Sequence, residues 1–132
     1  MKKEGFTLVE FLIVIGIIII LSALAIVAIN PGQQIQKARN KQRMAHVSAI
    51  YGSINEYKAR EGDFPACVTT ELLDVVLCQA ELVPDYFNKL PVDPDESCLY
   101  ETGYFIKKNT FNALGVVAAC AELEEEINAG SF

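Results

Sequence analysis

No charged residue interrupts the chain from Phe11 to Ile29, and no acid occurs from Phe11 to Asn55. Charge is costly in hydrocarbon, so its absence leaves this stretch free to enter a bilayer. At roughly 1.5 Å per helical residue the uncharged run reaches about 28 Å, against a hydrocarbon core of roughly 30 Å. Catalytic signatures are missing as well. There is no H-E-x-x-H pair, no glycine-rich phosphate loop and no supported Ser/His/Asp arrangement, which leaves an enzyme as the least favoured class. The one histidine, His46, is far in sequence from the four cysteines, and no C-x₂-C pair occurs, so a zinc site is not indicated. Basic excess is absent from the second half: from Glu56 to Phe132, fifteen acids stand against five bases. Such a balance does not suggest a general nucleic-acid surface. No internal repeat, low-complexity tract or GxxxG pair stands out.

What is present is concentrated at the start. Lys2-Lys3-Glu4-Gly5 is a short polar stub, Phe6-Thr7-Leu8-Val9-Glu10 follows, and a single acid, Glu10, stands where the apolar run begins. Asn30-Pro31-Gly32 closes the run. Lys2 and Lys3 predict a cytoplasmic N-terminus; the basic residues Lys37, Arg39, Lys41 and Arg43 on the other flank pull the opposite way. The cysteines Cys67, Cys78, Cys98 and Cys120 all lie beyond the apolar run, and an even count in a small extracytoplasmic domain reads as two disulfides. Ala23-Leu24-Ala25 offers a small-residue cut site for a secretory signal, but an acid opens the apolar region and the run continues past the cut through Ile29.

The basic leader ending in Gly5, the aromatic Phe6, the Thr7-Leu8-Val9-Glu10 step and the Ile/Leu/Val/Ala-rich run resemble the N-terminus of type IV prepilins and type II secretion pseudopilins. The resemblance implies cleavage between Gly5 and Phe6 by a prepilin peptidase, N-methylation of Phe6, and an assembly role for Glu10. It also implies a long N-terminal helix whose second half lies against a small sheet, and polymerisation through the N-terminal helices by an inner-membrane assembly machinery. The physical logic runs in parallel: the new ammonium at Phe6 of one subunit could neutralise the poorly solvated Glu10 carboxylate of a neighbour. The bland alternative has Glu10 snorkelling to the interface beside Lys2 and Lys3. Major pseudopilins of type II secretion commonly carry a Trp-Gly-x-Pro-Tyr step before a calcium loop; this chain has no tryptophan, which lowers the secretion reading relative to a pilus.

Beyond Pro31 a polar helix is expected from about Gln33, with Val47, Ile50, Tyr51, Ile54 and Tyr57 on one apolar face and a solvated basic section before it. His46 falls on the solvated half. Gly62-Asp63-Phe64-Pro65 ends the helix. Thr69-Thr70-Glu71 is expected to open a short helix burying Leu72, Leu73, Val76 and Ala80, broken at Pro84. Tyr86, Phe87 and Leu90 are expected to tuck under the domain. Leu90-Pro91-Val92-Asp93-Pro94-Asp95 is a proline-punctuated loop, of a kind that recurs in the resembling family. Two β-rich runs, Cys98 to Lys107 and Phe111 to Cys120, suggest a hairpin around Lys108-Asn109-Thr110. That register sets Cys98 opposite Cys120 and leaves Cys67 to Cys78; a bulge at Gly103 or Gly115 would shift it, and Cys67–Cys98 or Cys67–Cys120 are the alternatives. Glu122 to Glu126 reads as an acidic exit with half a turn of helix.

These readings predict an α+β, pilin-like chain: residues 1–5 a leader, 6–30 a membrane and filament-core helix, 31–61 its amphipathic continuation, and 62–132 a globular head. The expected role is a structural subunit of an extracellular type IV pilus-like filament, anchored in the cytoplasmic membrane with its N-terminus inside before assembly. The alternatives are a pseudopilin of a secretion or DNA-uptake system, and an anchored or secreted binding domain that never polymerises. No catalytic residue, cofactor or nucleic-acid partner is expected. Asp93, Asp95 and Glu96 are the only candidates for an oxygen-ligated cation such as calcium, and their spacing lacks the glycine and terminal acid of an EF-hand loop. Acids in proline turns are usually solvated turn residues.

Overall fold

The computed structural model describes residues 5–132; the first four residues of the expected leader, with Lys2 and Lys3, lie outside the described residues. Two compact units divide between Ile35 and Gln36. The first is dominated by α1, Leu8–Ile29, a helix of 22 residues of which none is buried. It is long and apolar enough to cross a membrane. Its one internal hydroxyl, Ser22, donates to the Ile18 carbonyl at 2.7 Å, so the helix satisfies its own polar group.

Asn30 ends α1 in a left-handed conformation, φ 47° and ψ 74°, and α2, Pro31–Glu61, starts at the next residue. The backbone stops and restarts there, two residues before the expected Gln33. Asparagine tolerates the left-handed region, and proline suits a first helical position, where its missing N–H has no partner to lose. At the far end Gly62 takes φ +90° and donates its N–H to the Lys58 carbonyl at 2.8 Å, a glycine cap.

In the second unit α2 packs on a four-stranded antiparallel sheet, giving the α+β architecture. The strands are β1 (Leu73–Asp74), β2 (Tyr104–Lys108), β3 (Leu114–Ala118) and β4 (Asn128–Gly130), in that order across the sheet. Alternation along the strands turns Tyr104 and Ile106 of β2, and Leu114, Val116 and Ala118 of β3, onto Val47, Ile50 and Ile54 of α2. The valine, leucine and isoleucine side chains among these each contribute about 1.5–3 kcal/mol on full burial. Phe64, Val68 and Leu90 close the core, with Tyr86 and Phe87 packed half-buried against it.

Three expectations need correction. The short helix does not begin at the threonines. Thr69 instead forms a turn, its hydroxyl accepting from the Glu71 N–H at 3.2 Å, and its carbonyl accepts from Lys108 N at 2.7 Å. Leu73–Asp74 is thereby drawn into β1, a case of tertiary pairing overriding propensity. The real cap is Asp74, which accepts from Val76 N at 3.0 Å and starts the 3-10 turn Val75–Cys78 and the one-turn helix α3, Gln79–Leu82. The buried positions are accordingly Val75, Cys78 and Leu82, while Leu72 and Ala80 are exposed.

The hairpin register also differs. Lys108 pairs with Leu114, not Lys107 with Phe111. Asn109 sets the turn by accepting from the N–H groups of Phe111 and Ala113, both at 3.0 Å, and Asn112 supplies the left-handed residue that closes it, φ 58°. The acidic exit is a tight turn through Leu123 and Glu124, both at positive φ, which delivers buried Ile127 and the unforeseen strand β4.

The disulfides are Cys67–Cys78 and Cys98–Cys120, with Cα separations of 5.3 and 5.9 Å. Cys98 and Cys120 are not strand partners, so the hairpin is not what brings them together. Cys120 follows the end of β3, and the 94–103 loop returns beside it: Asp93 N donates to the Thr102 carbonyl at 2.8 Å and Ala119 N to the Gly103 carbonyl at 2.9 Å. Gly103 has φ +80°, and a Cβ there would meet the Asp93 Cβ at 2.9 Å and the Cys98 Sγ at 3.1 Å. Replacing Cys98 and Cys120 by alanine is expected to lower unfolding stability by about 3 kcal/mol, from loop-closure entropy. Non-reducing peptide mapping checks the pairing; a Cys67–Cys120 peptide would contradict it.

Candidate functional site

The first site is the start of α1. Thr7 is its N-cap in extended conformation, and a reciprocal capping box joins it to Glu10. The Thr7 hydroxyl accepts from Glu10 N at 3.3 Å and donates to Glu10 Oε2 at 2.6 Å, and Thr7 N donates to the same oxygen at 2.8 Å. Both bonds fall on Oε2, and among the described residues Oε1 has no hydrogen-bond partner. Phe6, immediately before the cap, is 76% exposed, and Gly5 is exposed beside it. Gly5, Phe6 and Glu10 thus occupy one helical end, with the carboxylate held at the positive pole of the helix dipole.

The second site was not foreseen. The basic section of α2, expected to be solvated, contains the largest fully buried side chain of the molecule, Arg43. Its Nε and Nη2 donate to the two carboxylate oxygens of Asp93, both at 2.7 Å. Its Nη1 donates to Glu122 at 2.9 Å and to Asn40 Oδ1 at 2.8 Å. Asn40, also buried, donates to the Glu122 carbonyl at 2.6 Å and to Glu125 at 2.8 Å, and accepts from Glu122 N at 3.0 Å. Arg39 adds a half-exposed layer, reaching Asp95 at 3.1 Å and Glu122 at 3.3 Å. A buried guanidinium is tolerable only where its donors are met, and the two-pronged Asp93 contact does that. That hydrogen bonding pushes the Arg43 pKa above its already high ordinary value despite burial, so the group stays charged.

Two of the three cation candidates are engaged within the chain. Asp93 spends both oxygens on Arg43. Asp95 is engaged by Arg39 and by Ser97 N at 3.1 Å, and the Ser97 contacts hold its pKa below the usual carboxylate range. Glu96 points to solvent. Asp93 also lies close to the sulfurs of Cys98 and Cys120, but a disulfide offers no thiolate to a metal.

His46 is half-buried, with Nδ1 2.8 Å from the Tyr104 hydroxyl and the rings edge to face. Burial lowers the histidine pKa, against a smaller opposing pull from Asp93. Burial likewise raises that of Tyr104, so the phenol keeps its proton and can donate it to a neutral imidazole.

Comparison with protein-family models, with curated proteins and with solved structures finds no match. The family resemblance therefore rests on the N-terminal residues.

Two outcomes follow from the second site. Asp93→Ala should cost about 3–5 kcal/mol of unfolding stability, since it strands a buried cation, whereas Asp95→Ala should cost at most about 1 kcal/mol. Denaturant unfolding of the full chain in detergent measures both; equal costs would contradict the burial of Arg43. Because the folded-state pKa of His46 is depressed, the unfolded chain binds more protons below about pH 6.5, and stability falls as pH drops through that window. His46→Gln should remove this component from a stability–pH profile.

Proposed function

We propose that this chain is a structural subunit of a type IV pilus-like extracellular filament. In this reading it is made as a membrane-anchored precursor, cut between Gly5 and Phe6, methylated at Phe6 and polymerised through its N-terminal helix. The observation that carries the proposal is the start of α1: an apolar, wholly unburied helix whose only charge is Glu10 in the first turn, directly after Gly5-Phe6. A span needing only an anchor gains nothing from a carboxylate at its edge. A helix whose copies associate gains a specific mate for an incoming ammonium, and Glu10 Oε1, unpartnered among the described residues, is placed to receive it. Transfer from lipid into a bundle of like helices keeps the apolar surface of α1 covered throughout, so assembly need not expose it to water. The membrane before assembly and the cell surface afterwards follow as locations. The disulfide-bonded, acidic head suits an oxidising exterior.

The missing tryptophan favours a pilus over a secretion pseudopilus. Intact mass of the mature protein tests the processing: the expected mass starts at Phe6 with one added methyl group, whereas a start at Ile26 would establish a secretory signal instead. Glu10→Val should leave membrane insertion intact and sharply reduce filament yield. Undiminished filaments from that variant would refute the pairing of charges.

A further inference from the structure

The heads of a homopolymer built from this chain must overcome their own repulsion, since residues 56–132 carry three acids for every base. Contacts between copies are then favoured where the positive part of one chain meets the negative part of the next. Arg39 and Arg43 are consumed by Asp93, Asp95 and Glu122 within the chain. Lys37 and Lys41 are exposed and, among the described residues, in no ion pair. With Met44, 58% exposed, and exposed Ser48 they follow one another at steps of four, three and four, a single stripe along α2 beside its core-facing side.

A matching surface exists elsewhere on the same head. An apolar cleft of about 470 Å³ lies along β3 and the turn that follows it, lined by Leu72, Val117, Ala121, Ile127 and Phe132 and edged by Glu125 and Glu126. Leu72 and Phe132 remain 49% and 47% exposed there, more apolar surface than the sheet needs for its own packing. Glu125 is partly occupied by Asn40, while Glu126 and Glu124 are exposed and, among the described residues, unpaired.

We propose that the cleft beside β3 of one copy receives the Lys37–Lys41–Met44 stripe of another. Met44 enters the apolar cleft, and Lys37 and Lys41 meet Glu124 and Glu126. Methionine suits such a seat because its unbranched thioether adapts to an irregular cavity. Stripe and cleft are different surfaces of one chain, so the contact is heterologous: each copy offers its stripe to one neighbour and its cleft to the next, and the contact repeats along a fibre. This inference rests on the polymer reading above and adds the surfaces through which the heads meet.

Carbodiimide coupling, which joins a lysine to a carboxylate in contact with it, tests the proposal on full-length protein prepared as an equal mixture of isotope-labelled and unlabelled chains. The expected product is a mixed-label peptide joining Lys37 or Lys41 to Glu124 or Glu126, within a ladder extending beyond dimers. Charge reversal supplies the second arm. Lys41→Glu and Glu126→Lys should each lower polymer yield about fivefold, the scale expected for a surface ion pair turned repulsive, and combining them in one chain should restore it. Wild-type yield from both single variants, a combined variant no better than either, or coupling that stops at dimers would overturn the proposed contact while leaving the polymer reading in place. A wild-type chain that forms no polymer would overturn that reading first.

Discussion

A buried cation governs the head. Arg43 has no solvent-exposed side-chain surface, and it sits on the same helical stripe as Val47 and Ile50, which it precedes by four and seven residues. A guanidinium there is tolerated only if carboxylates reach it, and they come from two distant parts of the chain: Asp93 from the loop before β2, Glu122 from the turn after β3. The Cys98–Cys120 disulfide ties those two segments together, with Cys98 five residues after Asp93 and Cys120 two before Glu122. Gly103 leaves room for Asp93 beside the disulfide. Replacing such a centre by apolar residues can leave stability unchanged, so its distinctive contribution is to specify how α2 seats in the head.

The two units meet opposite demands. In α1 the apolar side chains face outward and the single carboxylate is bound by the helix's own cap. In the head Val47, Ile50, Ile54, Ile106 and Val116 face inward, and the buried Arg43 is paired with Asp93. The break at Asn30-Pro31 comes where composition changes from one demand to the other. The last turns of α1 hold no polar residue, while α2 brings Gln33, Gln34 and Lys37 within its first two turns.

Much of this was legible in the chain. Continuous hydropathy marked α1, the three- and four-residue steps marked the core face of α2, and Gly62 with Pro65 marked its end. The misses share a cause: polar side chains whose hydrogen bonds override the hydrophobic pattern. Asn109 and Asn112 moved the hairpin turn, and Asp74 displaced the threonines as a helix cap. Arg43 was read as solvated because charge outweighed position, although the stripe through Val47 passes back through Arg43 and Asn40. The pairing of Cys98 with Cys120 was favoured from a strand register that the sheet does not adopt; the loop 94–103 brings them together instead.

The reading of this chain as a polymer subunit is tested most directly by imaging filaments sheared from cells that express it and identifying their subunit by mass spectrometry. The expected result is a fibre composed of this chain, with methylated Phe6 as its first residue and the α1 helices bundled at its centre. Cells in which the chain stays in the membrane as a single-span monomer, with no fibre containing it, would contradict that reading.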